Sequence, residues 1–322
     1  MSQAETSRIL NARQEDRSPE RDRNDGITME SPSVSVIIPC FNEAGAIRRT
    51  VEEILAAIDT SGLKAVEVMV VDDGSNDGSA EILSELENLY GSRRMRVIGH
   101  SRNRGYGAAL KTGIRRSHSE LICITDADGT YPNELIPELV DEAADHDMLV
   151  GARIAEDVEY SKLRTIPKLF LVPWVSFLSG QDVPDINSGF RFFRRDVALR
   201  FLELLPNGFS FTTTITICML RNNFDVAYIP ISYRRRIGNS HIQPIKDTIN
   251  FVHLISRTGM YFAPLRLLLP LVVALSICFI LSLFYDAFVL RNLTDKTILI
   301  GFAALNILMF AMLADMIDKR NI

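Results

Sequence analysis

The segment LICITDADG, residues 121–129, runs from apolar residues directly into two carboxylates, Asp126 and Asp128, with one alanine between them. An unbroken run of apolar and β-branched residues is typical of a strand that is covered on both faces. In an extended segment the side chains at i and i+2 point to the same side, so both carboxylates would reach one ligand. Two charges so close repel each other unless a cation neutralises them, and Mg²⁺ and Mn²⁺ prefer carboxylate ligands shared with phosphate. The alternative interpretation is a solvated turn that contains two acids.

Three more apolar runs precede this segment, and stretches with helical spacing separate them. The predicted strands are residues 34–38 (VSVII), 67–71 (EVMVV) and 96–98 (RVI). Apolar residues recur at helical spacing in residues 46–58, and helices are also predicted in residues 79–89 and around 108–117. This alternation predicts an α/β fold with a mainly parallel central sheet.

Acidic residues follow three of the predicted strands, at the edge where such a sheet binds its ligands. Glu43 comes after the first strand, Asp72 and Asp73 end the second, and Asp126 and Asp128 end the fourth. In open α/β sheets, ligands bind outside the carboxyl ends of the strands. The acids are therefore expected to converge on one edge of the sheet, which favours a ligand site over a solvated turn.

Two glycine-containing motifs partly resemble the fingerprints of nucleotide-binding loops. GYGAAL, residues 105–110, begins like a dinucleotide fingerprint, and GAALKT, residues 107–112, resembles the end of a phosphate-binding P-loop. Leu110 occupies the position of a required glycine in both, so neither fingerprint holds. We expect these glycines instead to let the start of a helix pack closely.

Composition argues against several classes of protein. The 322 residues carry a net charge of −5, which argues against a nucleic-acid-binding protein that neutralises phosphates. The four cysteines are far apart in sequence, so neither a zinc site nor a disulfide framework is indicated. Residues 1–32 are polar and lack the apolar core of a signal peptide, so a flexible tail is predicted there.

Two long apolar stretches near the C-terminus predict membrane-spanning helices. Residues 267–285 and 297–314 contain no charged side chain, and a spanning helix needs about 20 mainly apolar residues. The short segment between them predicts an antiparallel hairpin, and the bias of Lys and Arg toward its outer flanks places the large domain in the cytoplasm. Residues 244–262 have near-helical apolar spacing, typical of an amphipathic helix on the membrane surface or of ordinary core packing. The alternative for the hairpin is a buried helical pair in a soluble protein.

Three motifs at these strand ends, VSVIIPCFNE (34–43), VVDDGSNDGS (70–79) and DADG (126–129), resemble the family 2 glycosyltransferases, which have the GT-A fold. The resemblance covers roughly residues 33–240. The segments GAR, SGFR and YRRRIGNS, together with the hairpin, resemble the polyprenyl-phosphate branch typified by dolichol-phosphate mannose synthase. The resemblance implies a membrane-anchored inverting enzyme with Mg²⁺ or Mn²⁺. It would move one sugar from a UDP- or GDP-linked donor to a dolichyl or undecaprenyl phosphate on the cytosolic face.

The resemblance also implies roles for individual residues on the donor side of the site. Those expected to bind the nucleoside are Pro39, Phe41, Glu43, Val71 and Asp73, the last as acceptor of a base N–H. Asp126 and Asp128 would hold the metal and the donor diphosphate, with Ala127 beside the sugar nucleotide. Thr130 stands where the family often has a glutamine as a further metal ligand, so that coordination position would be weaker or filled by water.

A second set of residues is expected to contact the acceptor, the sugar and the phosphates, with Asp185 and Arg191 beside the sugar and the phosphates. Its members are Arg153, Arg164, Asp185, Arg191, Arg235, Arg236, Ser240 and His241. Asp128, Asp185 and Arg191 form the implied catalytic set, and residues 235–241 would belong to a mobile loop that closes over the diphosphate. His241 replaces a lysine common in the family, which would make its contact pH-dependent. Guanidinium groups match phosphate geometry, but consecutive arginines are also typical of a solvated or lipid-headgroup patch.

The sequence thus predicts four parts: a polar tail (1–32), a GT-A catalytic domain (33–240), an interfacial helix (241–263) and two transmembrane helices (264–322). One alternative function is a non-catalytic membrane protein that binds a nucleotide sugar. Another is a processive polysaccharide synthase, which is disfavoured because no QxxRW motif occurs and two helices alone cannot enclose a channel. The sequence determines neither the sugar, the base, the lipid length nor the oligomeric state.

Overall fold

The computed structural model describes residues 32–63, 65–154, 176–177, 180–234, 259–260 and 263–320. These residues fall into two compact units. The sheet unit comprises the described residues up to 154 together with residues 184–234, and the hairpin unit comprises those of 176–183 and 259–320. The predicted tail, closing loop and interfacial helix lie almost entirely outside the described residues.

Within the described residues, the sheet unit contains seven strands in the spatial order β3-β2-β1-β4-β6-β5-β7. They are β1 (Val34–Cys40), β2 (Val66–Asp72), β3 (Met95–Gly99), β4 (Leu121–Ile124), β5 (Met148–Ala152), β6 (Arg191–Arg194) and β7 (Val226–Pro230). β6 is antiparallel to β4 and β5, whereas the other neighbouring pairs are parallel. The predicted mainly parallel sheet is confirmed, and all residues of β1 and β4 are buried, as their unbroken apolar runs imply.

Helices alternate with the strands along the sheet unit. They are α1 (Ile47–Ser61), α2 (Ser79–Tyr90), α3 (Tyr106–Arg116), α4 (Ile136–Ala144), α5 (Arg195–Phe201) and α6 (Phe211–Arg221). In α1 the predicted apolar positions Ile47, Val51, Ile54, Leu55 and Ile58 are all buried. Each such side chain contributes about 1.5–3 kcal/mol on burial, so this face fixes the helix on the sheet.

The pairing register brings several strand ends to one edge of the sheet. Cys40 pairs with Asp72, and Asp72 pairs with Gly99. β6 runs in the opposite direction, so its first residue, Arg191, lies opposite Ile124 at the end of β4. The chain segment that precedes β6 therefore arrives at the edge where the DADG segment begins.

The hairpin unit consists mainly of two apolar helices. α7 (Pro264–Tyr285) continues into a π-helical turn (Asp286–Leu290), and α8 (Asp295–Arg320) follows. By length and composition, Pro264–Leu290 and Asp295–Ile317 are candidate membrane spans, and they contain the predicted stretches. The helices pack closely, since a β-carbon at Gly301 would lie 2.8 Å from the ring of Phe279.

A polar cluster closes the turn of this hairpin. Asp286 Oδ2 accepts hydrogen bonds from Thr294 N (2.7 Å) and Thr294 Oγ1 (2.6 Å). The hydroxyls of Ser282 and Thr297 lie 2.5 Å apart and join α7 to α8 at the same end. These bonds satisfy polar groups at the helix ends, where intrahelical partners are missing.

Candidate active site

The loops after β1 and β2 are joined by hydrogen bonds from backbone N–H groups to side-chain hydroxyls. Asn42, at a left-handed φ of 56°, donates its N–H to Ser75 Oγ (2.9 Å), and Glu43 donates its N–H to Ser79 Oγ (3.0 Å). The serines of VVDDGSNDGS thus hold the CFNE loop, which explains why both motifs occur together in one chain. Together they form one wall of the candidate site.

Of the five residues expected to line the nucleoside pocket, three are buried in the protein, and two of these are Pro39 and Val71. Pro39 and Val71 pair with each other in the sheet and are buried. Their side chains therefore support the loops. The sequence predicts that they line an open pocket, and their burial in the sheet corrects that prediction. Phe41 and Glu43 are only partly buried and stay candidates for contact with the nucleoside.

Asp73 lies within a hydrogen-bond network of the protein. Its carboxylate accepts the N–H groups of Arg104 (2.9 Å) and Gly105 (2.7 Å), and its Oδ1 lies 2.6 Å from His100 Nδ1. His100 Nε2 in turn lies 2.9 Å from the hydroxyl of Thr112. Asp73 is 2 % exposed, so the structure assigns it to fixing the β3–α3 loop, whereas the sequence predicts contact with the base.

Three neighbours, Tyr106, Gly189 and Thr50, hold the first two residues of the DADG segment, Asp126 and Ala127. Asp126 Oδ1 accepts a hydrogen bond from the hydroxyl of Tyr106 (3.0 Å). A β-carbon at Gly189, in the segment before β6, would lie 2.7 Å from the same oxygen, so only glycine fits there without displacement. The carbonyl of the buried Ala127 accepts a hydrogen bond from Thr50 Oγ1 on α1 (3.0 Å). The carboxylate of Asp126 itself is partly exposed.

Asp128 is held by Thr130, which stands where the family often has a glutamine. β4 ends at Ile124, and the following segment forms a turn in which Gly129 has a φ of 71°. Asp128 Oδ1 accepts hydrogen bonds from Thr130 N (3.2 Å) and Thr130 Oγ1 (2.6 Å). The Thr130 hydroxyl thus donates its proton to Asp128 and orients this carboxylate.

Arg234, the first of the three consecutive arginines, is paired with carboxylates. Its guanidinium contacts Glu53 (2.7 Å) and Glu134, and its N–H donates to Thr130 O (2.8 Å). Burial raises the pKa of Glu134, and the neighbouring Glu53 raises it further. The interpretation of the arginines as a solvated patch therefore does not fit Arg234, because this residue anchors the chain beside the DADG turn. Arg164, Arg235, Arg236, Ser240 and His241 lie outside the described residues.

Arg153 and Asp185 form a two-pronged ion pair. Arg153 Nε and Nη2 donate to Asp185 Oδ2 (2.8 Å) and Oδ1 (3.0 Å), and Asn187 N also donates to Oδ1 (3.0 Å). Burial alone would raise the pKa of Asp185, but the hydrogen bonds and charge of Arg153 outweigh it and hold the pKa below its usual value. The Arg153 guanidinium lies 5.3 Å from the ring centre of Tyr233 and is 19 % exposed. The two residues predicted for the acceptor side thus lie together.

Arg191 is enclosed in the core. Its guanidinium donates to Ser188 O (2.6 and 3.0 Å), Thr212 O (3.0 Å) and Thr216 Oγ1 (2.9 Å), and the residue has no exposed surface. Burial lowers its pKa. The sequence predicts Arg191 beside the sugar and the phosphates, but its contacts make it a support for the turn before β6. That turn includes Gly189, which backs Asp126.

Tyr106 and Phe209 form an aromatic pair that the sequence analysis missed. The two rings are stacked with centroids 5.5 Å apart, and Phe209 is exposed. A β-carbon at Gly107 would lie 2.2 Å from Pro206 O, and Ala108 N donates to Asn207 O (3.1 Å). The expectation that these glycines let a helix start pack closely is confirmed. The only sequence signal was the GYG motif, which does not reveal its partner 100 residues later.

Removing the Tyr106 hydroxyl is expected to loosen Asp126. Tyr106→Phe keeps the stacked ring but deletes one hydrogen bond to a carboxylate, a contact that contributes about 1.5–3 kcal/mol. We expect a decrease of about tenfold in kcat/KM and a higher half-saturating concentration of divalent cation, measured by titrating Mn²⁺ in a transfer assay. Tyr90→Phe on α2 is the matched control and should leave both quantities unchanged. An unaltered cation dependence in Tyr106→Phe would contradict this role.

The donor set suits a hard divalent cation. Among the described residues, no group of three or more His, Cys, Asp or Glu side chains is arranged to hold a metal ion. Asp126 and Asp128 supply two carboxylates, which is the number that Mg²⁺ typically takes from a protein when substrate phosphates complete its coordination. The residues present therefore fit a cation that is shared with a diphosphate.

The sequence is similar to those of several known proteins. The sequence model of the family Glycosyl transferase family 2 matches residues 35–201. The chain is 33 % identical over 186 residues to undecaprenyl-phosphate 4-deoxy-4-formamido-L-arabinose transferase of Edwardsiella ictaluri, covering 55 % of this chain and 56 % of the relative. It is 32 % identical over 216 residues to dolichyl-phosphate hexose transferase of Haloferax volcanii, covering 66 % and 87 %. The chain thus spans little more than half of the first relative.

Solved structures share the fold at lower identity. Mannosyl-3-phosphoglycerate synthase from Rubrobacter xylanophilus superposes with a TM-score of 0.54 at 18 % identity, covering 70 % of this chain and 73 % of that one. Glucosyl-3-phosphoglycerate synthase from Mycobacterium tuberculosis, crystallised with Mn²⁺, UDP-glucose and phosphoglyceric acid, gives 0.54 at 15 % identity, covering 71 % and 80 %. These likenesses confirm the GT-A fold of the sheet unit.

Proposed function

The chain belongs to glycosyltransferase family 2, and from that premise we propose that it transfers one sugar from a nucleotide sugar to a polyprenyl phosphate, with inversion. The acceptor class follows from the two relatives, which are named for undecaprenyl phosphate and dolichyl phosphate. The observation that carries the proposal is the carboxylate pair Asp126 and Asp128. Both follow the end of β4, and their carboxylates accept hydrogen bonds from Tyr106 on α3 and from Thr130 in the same turn, respectively.

We propose that these two carboxylates hold Mg²⁺ or Mn²⁺ together with the donor diphosphate. When bound, the cation would stabilise the negative charge of the departing nucleoside diphosphate. Tyr106 and Thr130 orient the two carboxylates, so little reorganisation is needed when the donor arrives. The crystal structure of the M. tuberculosis synthase with Mn²⁺ and UDP-glucose supports the class of cofactor.

On the donor side, we assign the base contact to Asp72 in place of Asp73. The carboxylate of Asp73 is saturated by the β3–α3 loop, whereas within the described residues the carboxylate of Asp72 accepts hydrogen bonds from Ser75 alone, at Oδ1. Phe41 and Glu43 are partly exposed beside it and would complete the nucleoside contact. The assignment leaves uracil and guanine open, because both present N–H donors to a carboxylate.

On the acceptor side, Arg153 is the described cation best suited to the lipid phosphate. A phosphate monoester has a second pKa of about 6, so it is largely ionised at neutral pH and needs no strong base to attack the anomeric carbon. Asp185, ionised and paired with Arg153, would orient the guanidinium and take no proton. Positioning and charge stabilisation would then supply most of the catalysis. Arg164, Arg235, Arg236, Ser240 and His241 remain candidates for further phosphate contacts.

The two apolar helices support a membrane-anchored enzyme. A hairpin that spans the bilayer puts both of its flanks on one side, and the Lys and Arg bias of those flanks favours the cytosolic face. Residues 244–262 would lie on the membrane surface near the entry of the lipid acceptor. Anchoring suits the proposed reaction because the acceptor itself is held in the bilayer.

A donor panel tests the proposed function directly. Purified full-length protein is mixed with radiolabelled UDP- or GDP-sugars, Mg²⁺ or Mn²⁺ and a short polyprenyl phosphate, and the organic phase is counted. We expect label in the lipid with one donor and none when the cation is chelated. Absence of label with every donor would overturn the proposal, and cation-dependent binding of UDP or GDP without transfer would favour a non-catalytic sugar-nucleotide-binding protein.

A further inference from the structure

One face of α8 carries a regular apolar stripe with a single amide in it. Its members follow each other at alternating steps of three and four residues: Leu299, Phe302, Asn306, Met309, Leu313 and Met316. The five apolar side chains are 55–67 % exposed, and Asn306 is exposed as well. Steps of three and four are the spacing of the a and d positions in a coiled coil, where the same face meets a partner helix.

Most of this stripe points away from the other helix of the hairpin, and only Phe302 and Asn306 border shallow grooves that α7 residues also line. The α8 residues covered by α7 and the turn include Thr297, Ala304 and Ala311, and Gly301 packs against Phe279. Asn306 follows Ala304 by two residues, which is about 200° around a helix. The hairpin therefore leaves the stripe largely exposed, and the α7 residues beside Asn306, Leu268 and Leu271, offer its amide no polar side chain.

Asn306 is the feature that distinguishes this face from an ordinary lipid-facing surface. It lies at the middle of the candidate span Asp295–Ile317. Within the part of the chain that the structure describes, its side chain makes no hydrogen bond. Hydrocarbon offers none either, and polar side chains inside a bilayer typically face other protein segments and bond across helices. The position therefore calls for a partner that brings both a donor and an acceptor.

We propose that a second copy of this chain packs along the stripe, so that the protein is a dimer held in part by α8. Copies inserted in the same membrane share one orientation, so a twofold axis along the membrane normal pairs α8 with α8 in parallel. Under that symmetry each residue of the stripe meets its own counterpart. An amide is self-complementary, so Asn306 donates to and accepts from the partner's Asn306. The inference rests on the proposed membrane insertion but not on sugar transfer.

A single asparagine in an otherwise apolar seam also determines how the helices align. One polar a position is known to select register and oligomeric state at a cost in stability, because any other alignment leaves the amide unpaired. Leu299 and Leu313 lie one heptad before and after Asn306, and Phe302, Met309 and Met316 occupy the intervening positions. The stripe thus combines apolar side chains that pack with one polar residue, Asn306, that sets the alignment of the two helices.

The first test measures association in detergent micelles or bilayers by energy transfer between labelled full-length chains. Asn306→Val should raise the dimer dissociation constant about 3- to 20-fold, the range expected for one interhelical hydrogen bond. Asn306→Gln, which keeps the amide, should retain more association than Asn306→Val. Leu281→Val changes an exposed apolar residue on α7, away from the stripe, and it should have no effect. A monomer at all protein densities would overturn the proposal.

The second test locates the contact by cysteine crosslinking in membranes. Cys278 is exposed and is first replaced by serine, which leaves three buried cysteines. Met309→Cys, on the stripe, should form an interchain disulfide with an added oxidant, whereas Leu281→Cys, at an exposed position on α7, should not. Equal crosslinking at both positions, or crosslinks only to other proteins, would refute the α8 dimer. Retention in carbonate-washed membranes and sugar transfer are measured on the same variants, so failure of insertion, of activity and of association remain distinguishable.

Discussion

Asp128→Asn is expected to reduce sugar transfer at least about a thousandfold. The asparagine keeps the shape of the side chain and an oxygen for the Thr130 hydroxyl, but it removes the charge that would bind a divalent cation. A metal ion supplies several kcal/mol of charge stabilisation in a transition state, and each 1.36 kcal/mol is a factor of ten in rate. The measurement is kcat/KM in the lipid-transfer assay, together with calorimetry of UDP and GDP binding with and without Mn²⁺.

The control separates loss of the site from loss of the fold. Asp141→Asn makes the same chemical change at an exposed position on α4 and should retain full activity. Asp128→Asn should unfold at no lower temperature than the unaltered protein without metal, because the substitution relieves repulsion with Asp126. If more than a tenth of the activity and the cation-dependent binding survived, the cation would have to be held elsewhere.

Arg191→Met is expected to lower the free energy of unfolding of the sheet unit by about 3 kcal/mol. A hydrogen bond from a charged donor contributes about 1.5–3 kcal/mol, and Arg191 serves Ser188 O, Thr212 O and Thr216 Oγ1. Removing a buried charge also removes its desolvation penalty, which offsets part of that loss. For a unit of this size the thermal midpoint should fall by roughly 6–12 °C, as followed by circular dichroism.

The same experiment distinguishes the two interpretations of Arg191. Arg194→Met changes an exposed arginine on the same strand and should shift the midpoint by no more than about 2 °C. A supporting role predicts that Arg191→Met loses stability and activity together, because the turn beside Asp126 relaxes. Lost activity at an unchanged thermal midpoint would instead restore the direct phosphate contact that the sequence suggests.

The acidic ends of the strands show how much of the fold local sequence patterns predict. Unbroken apolar runs before Asp72 and Asp126 mark buried parallel strands, and the loops that follow such strands lie at one edge by necessity. That inference needs only local spacing and a general property of sheets, and the confirmed β1, β2, β3 and β4 rest on it. No strand is predicted from the sequence after residue 125. One reason is that β6 is short and bears a charged residue at each end.

The assignment of individual side chains required contacts between distant segments. Asp73 and Asp72 are adjacent and chemically identical, yet only the approach of the β3–α3 loop ties up Asp73. Likewise, the arginine in SGFR resembles a phosphate ligand, but its guanidinium is bound by the Thr212 carbonyl and the Thr216 hydroxyl of α6. Which polar group faces a ligand depends on long-range packing, and no local pattern records it.

By itself, the sequence determined the class of this protein. Hydrophobic periodicity and the spacing of its acids are local properties, and they are enough to predict a mainly parallel α/β sheet with carboxylates at its edge and an apolar hairpin after it. The tertiary structure decided which of those carboxylates are held by the protein itself and which face outward. It also decided which side of α8 the hairpin leaves bare, because burial and hydrogen bonding depend on residues that only folding brings together.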